Sequence, residues 1–197
     1  MSDSLYKRLY SIENLDLAWT RLKTAQNVQY KNYYRSLFLA YEMSKTENLA
    51  KLSERIKGKS YKPSAIERFY LPKSTGLSRP ISFLYMDDMI VYQAYANLLA
   101  EKFSEKRKNV EGINVFSNII NRKRDKELFF FNKWQEGYAD FRSAIKKYFR
   151  SRNKWVGHFD IAAYYDTISH TALSRQISSR NSYQDFRSLF ENSLKEW

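Results

Sequence analysis

The chain has 197 residues, 43% hydrophobic and 17% aromatic, which suits one domain or part of a larger one with a buried core. Lys and Arg outnumber Asp and Glu by 34 to 21, and the net charge of +13 points to a polyanionic partner, nucleic acid or an acidic membrane surface. The absence of Cys excludes disulfides, zinc–thiolate sites and thiol nucleophiles.

The 16 Tyr favour nucleic acid over membrane, because aromatic rings stack on bases, although many of these rings must be core. The first residues are polar and charged, and no run reaches the roughly 18 apolar residues of a membrane span. A cytoplasmic location is therefore expected.

Residues 1–60 read as helical. Leu15, Leu17, Ala18 and Leu22 form a patchy apolar stripe, and Tyr34, Leu37, Phe38 and Tyr41 a clearer one at spacings of three and four. Leu49, Leu52 and Ile56 continue the pattern, and Gly58 is the expected stop. All of these fit packing helices. Lys23, Lys31, Arg35, Lys45 and Lys51 read as a solvated basic face.

The character changes over residues 61–84, YKPSAIERFYLPKSTGLSRPISFL. Two β-like runs, Ile66 to Leu71 and Pro80 to Leu84, flank a turn whose Gly76 supplies backbone freedom, so a hairpin is expected. Lys73 and Arg79 bracket the turn. Read locally, they are either a solvated basic turn or a pair of cations suited to adjacent phosphates.

Tyr85-Met86-Asp87-Asp88 then opens an apolar stretch in which Val91, Ala94, Tyr95, Leu98 and Leu99 have helical spacing. On that spacing Asp87 and Asp88 sit at a helix N-terminus, where carboxylates suit the free N–H groups and the dipole. The competing reading of ISFLYMDDMIV is two strands around a tight turn.

Residues 102–108 and 121–126 are basic runs expected on solvated loops or helix faces, with backbone-phosphate contact as the second reading. Phe129-Phe130-Phe131 with Trp134 reads as core, or alternatively as a base-stacking platform. Residues 135–150 form an amphipathic helix, with Tyr138, Phe141, Ile145 and Tyr148 on one face and Arg142, Lys146, Lys147 and Arg150 opposite.

Trp155 to Leu173, WVGHFDIAAYYDTISHTAL, organises the rest. Trp155 to Phe159 has the bulky residues of a buried strand. Asp160 interrupts it, and a buried carboxylate is costly without a cation or donors. Its local pattern leaves two uses open: an oxygen ligand for Mg²⁺ or a turn cap. Ser169 is placed to cap a helix beginning at His170. A last helix carries Phe186, Leu189, Phe190 and Leu194. There is no internal repeat and no low-complexity linker.

Two of these stretches carry a family resemblance. DIAAYYDTISHTAL resembles the first palm motif of reverse transcriptases, particularly bacterial ones related to group II intron, retron and abortive-infection enzymes. YLPKSTGLSRPI resembles their fingers hairpin, and RPISFLYMDDMIVYQA the helix-leading segment after it. The likeness is specific over residues 70–94 and 155–173 and loose over residues 15–175. It implies that Asp160 binds catalytic Mg²⁺ and that the Ile161 backbone carbonyl faces the same metals. It also implies that Lys73 and Arg79 bind the dNTP triphosphate, and that Tyr165 lies under the sugar and excludes a 2′-hydroxyl. Asp166 and His170 match positions common in the bacterial branch.

The resemblance implies an α+β fold with helices over residues 1–60, a fingers-like region over 61–150 and the start of a right-hand polymerase palm over 151–197. The implied activity is Mg²⁺-dependent transfer of a nucleotide from dNTP to a primer 3′-hydroxyl. The implied partners are an RNA template with a DNA primer or a structured non-coding RNA, with no membrane and with a role in phage defence. Two-metal chemistry holds ions about 4 Å apart with at least two carboxylates. Asp160 supplies one, and the others are expected on a catalytic hairpin beyond Trp197. The Tyr85–Asp88 tetrapeptide looks like that hairpin's signature but precedes Asp160 in the chain, against the family's order. The alternatives are a non-catalytic basic nucleic-acid-binding module of the same fold and a helical scaffold for an acidic protein.

Overall fold

The computed structural model describes residues 4–24, 34–72, 74, 76–123, 126–151, 153–161, 164–177 and 183–197, with positions 165 and 166 described by backbone alone. Its class is α+β. Helices α1 (Ser4–Leu9), α2 (Ile12–Thr24), α3 (Arg35–Met43) and α4 (Lys45–Lys57) precede an antiparallel hairpin of β1 (Glu67–Pro72) and β2 (Ser78–Phe83). Helices α5 (Met86–Arg107), α6 (Trp134–Arg150), α7 (Tyr164–Thr167), α8 (His170–Ile177) and α9 (Gln184–Glu196) follow. The chain forms two compact units, Met1–Leu98 with Ser169–Trp197, and Leu99–Ile168. No helix among the described residues is long and apolar enough to cross a membrane.

The first unit holds the core. Leu9, Leu15, Ala18, Leu52, Ile56, Ile90, Val91, Ala94 and Phe186 are completely buried. Each large apolar side chain removed from water in this way stabilises by about 1.5–3 kcal/mol. The stripe over α2 is anchored by Trp19, whose ring stacks on Tyr41 at 4.9 Å and whose indole N–H donates to Glu42 at 2.8 Å. The spacing singled out on α3 does not bury it: Leu37 is exposed, and only Tyr34, at the entry to the helix, is deeply covered. Tyr95 of α5 meets Phe186 and Phe190 of α9 edge-on.

Polar contacts fix how α2 meets α5. Asn14 and Asn97 are both buried, and the Asn97 amide donates to the Asn14 carbonyl at 3.1 Å. The Asn14 amide donates in turn to the backbone carbonyls of Leu9 and Ala94. Arg21 and Gln93 both donate to the Asn97 carbonyl, at 2.6 and 3.0 Å. Buried amides are tolerated when satisfied in this way.

Helix α4 ends at the expected stop, with Gly58 as its C-cap, and the left-handed conformation falls one residue later. Gly58 has an ordinary φ of −78°, and Lys59 takes the left-handed conformation at φ 56°. The Ser60 N–H then reaches the Arg55 carbonyl and the Lys59 N–H the Ile56 carbonyl, which satisfies carbonyls the helix leaves open.

The second unit is thinly packed. Short bridges join Glu111 to Val115 and Ile120 to Phe131. Asn121 is buried, donating to the Phe129 carbonyl and accepting from the Lys123 N–H. The Glu111 carboxylate receives Arg122 at 2.8 Å. Gly137 brings α6 against the Phe116 backbone so closely that a Cβ there would lie 2.0 Å from the carbonyl oxygen. Phe129, Phe131 and Trp134, expected as core, are exposed at 43%, 40% and 73%.

The run Trp155 to Phe159 is a correction to the expected buried strand. Residues 153–161 have no regular secondary structure, and Trp155 and Phe159 are exposed at 94% and 92%. A strand is defined by backbone N–H and C=O groups paired to a neighbour. Among the described residues no strand pairs with this segment, so its β-favouring side chains have no ladder to join.

Candidate functional site

The hairpin forms as the turn chemistry predicts. Six residue pairs run from Glu67↔Phe83 to Pro72↔Ser78, and Gly76 takes φ 80°, which L side chains rarely adopt. Arg79 pairs with Leu71, next to the closing pair. By the two-residue repeat of a strand it shares the face of Ile81 and Phe83. That face is held at its base. Phe83 stacks on Tyr34 at 4.1 Å with the rings 5° from parallel, and the Leu84 N–H donates to the Tyr34 hydroxyl at 3.1 Å. Arg79 itself is exposed, beyond the half-buried Ile81. Lys73 lies outside the described residues.

Asp87 and Asp88 occupy the first turn of α5, as the helical spacing predicts. Their side chains reach neighbouring segments. Asp88 is buried, and its carboxylate accepts from the Tyr61 hydroxyl and from the Ser64 N–H at 3.3 Å. Burial pushes the Asp88 carboxyl above its ordinary value, against the downward pull of the bonds from Tyr61 and Ser64. Burial, followed by the neighbouring Asp88, pushes the Tyr61 phenol well up. Asp87 pairs with the Arg55 guanidinium and accepts from Tyr41 at 3.2 Å. Both carboxylates are thus committed to fastening α3, α4 and the 61–64 segment to α5. Tyr-Met-Asp-Asp here builds a helix start, and its acids are engaged by protein groups.

Asp160 and Ile161 lie in the second unit, on the exposed stretch before α7. The Asp160 carboxylate accepts from the Ile161 N–H at 2.9 Å, a contact with its own neighbour in the chain. Tyr165 and Asp166 fall within α7, but their side chains lie outside the described ones. Ser169 caps α8 as expected, its hydroxyl accepting from the Ala172 N–H at 3.2 Å.

A carboxylate and a backbone carbonyl are oxygen donors of the type Mg²⁺ takes, and this ion commonly completes its shell with water and phosphate. Among the described residues no three acidic or His side chains gather into a metal-binding group. Sequence reasoning missed Tyr61, Ser64 and Arg55 as partners of the paired acids. Their only signal was a tyrosine and an arginine near the end of a helical stretch.

No protein-family model matches the chain, and no curated protein matches it.

Proposed function

We propose that the chain carries the fingers hairpin and first palm motif of an RNA-directed DNA polymerase. The observation that supports this most is the hairpin. YLPKSTGLSRPI folds as two antiparallel strands about Gly76 and holds Arg79 one pair from the turn, where a guanidinium is free to meet a polyphosphate.

In this reading the Asp160 carboxylate and Ile161 carbonyl would hold Mg²⁺, which would supply positive charge beside the transferred phosphate. Lys73 and Arg79 neutralise the triphosphate. Tyr165 lies under the deoxyribose, where its ring leaves no room for a 2′-hydroxyl. A primer 3′-hydroxyl attacks the dNTP α-phosphate, the new phosphodiester forms, and pyrophosphate leaves with the electrons of the broken bond. The bacterial cast of the motif extends the proposal to a role in phage defence.

The second reading is a non-catalytic nucleic-acid-binding module of this fold. It is favoured by exposed rings such as Trp134, Tyr148 and Trp155 close in sequence to Lys146, Lys147 and Arg150. The deciding experiment is Mg²⁺-dependent incorporation of labelled dNTP on a primed RNA template by the full-length protein, with Asp160→Ala alongside. Incorporation that disappears in the variant supports the polymerase. RNA binding without incorporation supports the module.

A further inference from the structure

The C-terminal end of α4 and one face of α9 line an open cleft of about 230 Å³. Drug-sized sites run to roughly 300–1,000 Å³, so the occupant of this one is a single small molecule. Its floor is carbon. Tyr6 and Tyr61 are 7% and 6% exposed, and Leu189 lies beside them. Both phenol hydroxyls are engaged elsewhere, Tyr6 donating to the Ile56 carbonyl and Tyr61 to Asp88. The rings therefore offer the cleft apolar surface, which suits a further ring.

The rim carries charges of both signs. Lys59, in its left-handed conformation just past α4, reaches Asp185 in the first turn of α9 at 2.8 Å. The two side chains are 62% and 42% exposed, so water screens the pair and little is lost when it opens to a ligand. Ser188 and Asn192 follow Asp185 along α9 at successive spacings of three and four, and line the same cleft. Neither side chain is hydrogen-bonded among the described residues, which leaves a hydroxyl and an amide beside the pair.

These charges select the ligand. A lone anion placed against Lys59 would also face Asp185, and a lone cation against Asp185 would face Lys59. A neutral ring gains little from either. An α-amino acid carries a carboxylate and an ammonium on one carbon, both charged at neutral pH, and that short span matches the Lys59–Asp185 pair. We propose that the cleft binds a free α-amino acid with an aromatic side chain. Its carboxylate accepts from Lys59, its ammonium donates to Asp185, and its ring lies on Tyr6 and Tyr61. The Ser188 hydroxyl and Asn192 amide take the remaining hydrogen bonds. The proposal does not rest on the polymerase reading.

The test is calorimetric titration of the 197-residue chain with L-phenylalanine. A dissociation constant of about 0.1–1 mM is expected for a ligand this small in an open cleft. Phenethylamine and 3-phenylpropionate each lack one charge and should bind about tenfold more weakly. Lys59→Gly suits the positive φ while deleting the ammonium, and should raise the constant for L-phenylalanine about tenfold. Ser188→Trp, at an exposed position on the rim, fills the cleft and should abolish binding with an unchanged circular dichroism spectrum.

The proposal is overturned if the wild-type chain shows no saturation up to about 20 mM L-phenylalanine. Phenethylamine binding as tightly as the amino acid overturns it, and so does Ser188→Trp binding like wild type. Adenosine that binds more tightly than L-phenylalanine and is lost in Ser188→Trp would also overturn it, and make the cleft a nucleoside site.

Discussion

Tyr61 and Asp88, 27 positions apart in sequence, meet in the interior, where the phenol hydroxyl donates to the carboxylate. Asp88 is 1% exposed, so removing either partner leaves the other without a solvent replacement. Asp88→Ala should destabilise the chain by about 1–3 kcal/mol, the usual cost of orphaning a buried hydrogen-bonding group. Tyr61→Phe should cost less, because the Ser64 N–H still reaches the carboxylate. Urea unfolding of the variants measures both.

The same carboxyl makes stability depend on pH. Burial raises the Asp88 pKa above its ordinary 3.8, so the folded chain takes up a proton more readily there than the unfolded chain. Its contribution is fully present below the unfolded value and is lost as pH rises through the folded one. Asp88→Asn removes that titration. The difference in unfolding free energy between wild type and Asp88→Asn should therefore shift steadily against wild type as pH rises through this window. A difference that stays flat with pH would show that Asp88 does not titrate there.

Gly137→Ala tests the close approach of α6 to Phe116. Alanine normally gains about 1 kcal/mol over glycine inside a helix. Here the added methyl would lie 2.0 Å from a backbone oxygen, which has no rotamer to escape into. The steric term wins, and the variant should lose about 1–3 kcal/mol. Faster hydrogen exchange at the α6 amides is the readout.

Tyr34 ties the hairpin to the helices through a stacked ring and a hydroxyl acceptor. Tyr34→Phe keeps the ring and should cost about 1 kcal/mol. Tyr34→Ala also leaves a cavity and should cost about 3–5 kcal/mol. Limited proteolysis between Pro72 and Ser78 should accelerate more in the second variant than in the first.

On the polymerase reading, Asp160→Ala should abolish incorporation without a change in circular dichroism, since the side chain is exposed. Arg79→Ala should raise the dNTP KM about tenfold, the loss of one charge-assisted contact. Tyr165→Ala should admit ribonucleotides, and unchanged selectivity for dNTPs would remove the gate from the proposal.

The elements read most directly from sequence are those set by neighbours in the chain. The hairpin was legible because Gly76 and the flanking β-branched and aromatic residues act locally. The cap at Ser169 and the placement of Asp87 and Asp88 in a first helical turn are local for the same reason. Trp155 to Phe159 misled because β-favouring residues describe a preference, while a strand also needs a partner. Phe129 to Phe131 misled because hydrophobicity says that a ring benefits from burial and not whether anything covers it. Helix α6 was legible as an amphipathic helix, but the exposure of its apolar face follows from packing elsewhere. The Tyr61–Asp88 contact joins segments with no shared period, and no local pattern encodes it.

The paired amides of Asn14 and Asn97 bear on how this protein can change over generations. Apolar neighbours such as Ile90 and Val91 can exchange for one another at modest cost, since a methyl group has no required partner. An amide facing an amide has one. Replacing Asn14 alone strands the Asn97 amide, and replacing Asn97 alone strands the Asn14 carbonyl and removes an acceptor that Arg21 and Gln93 share. The two positions are therefore expected to drift together, and in descendants of this chain a change at one should be found with a change at the other.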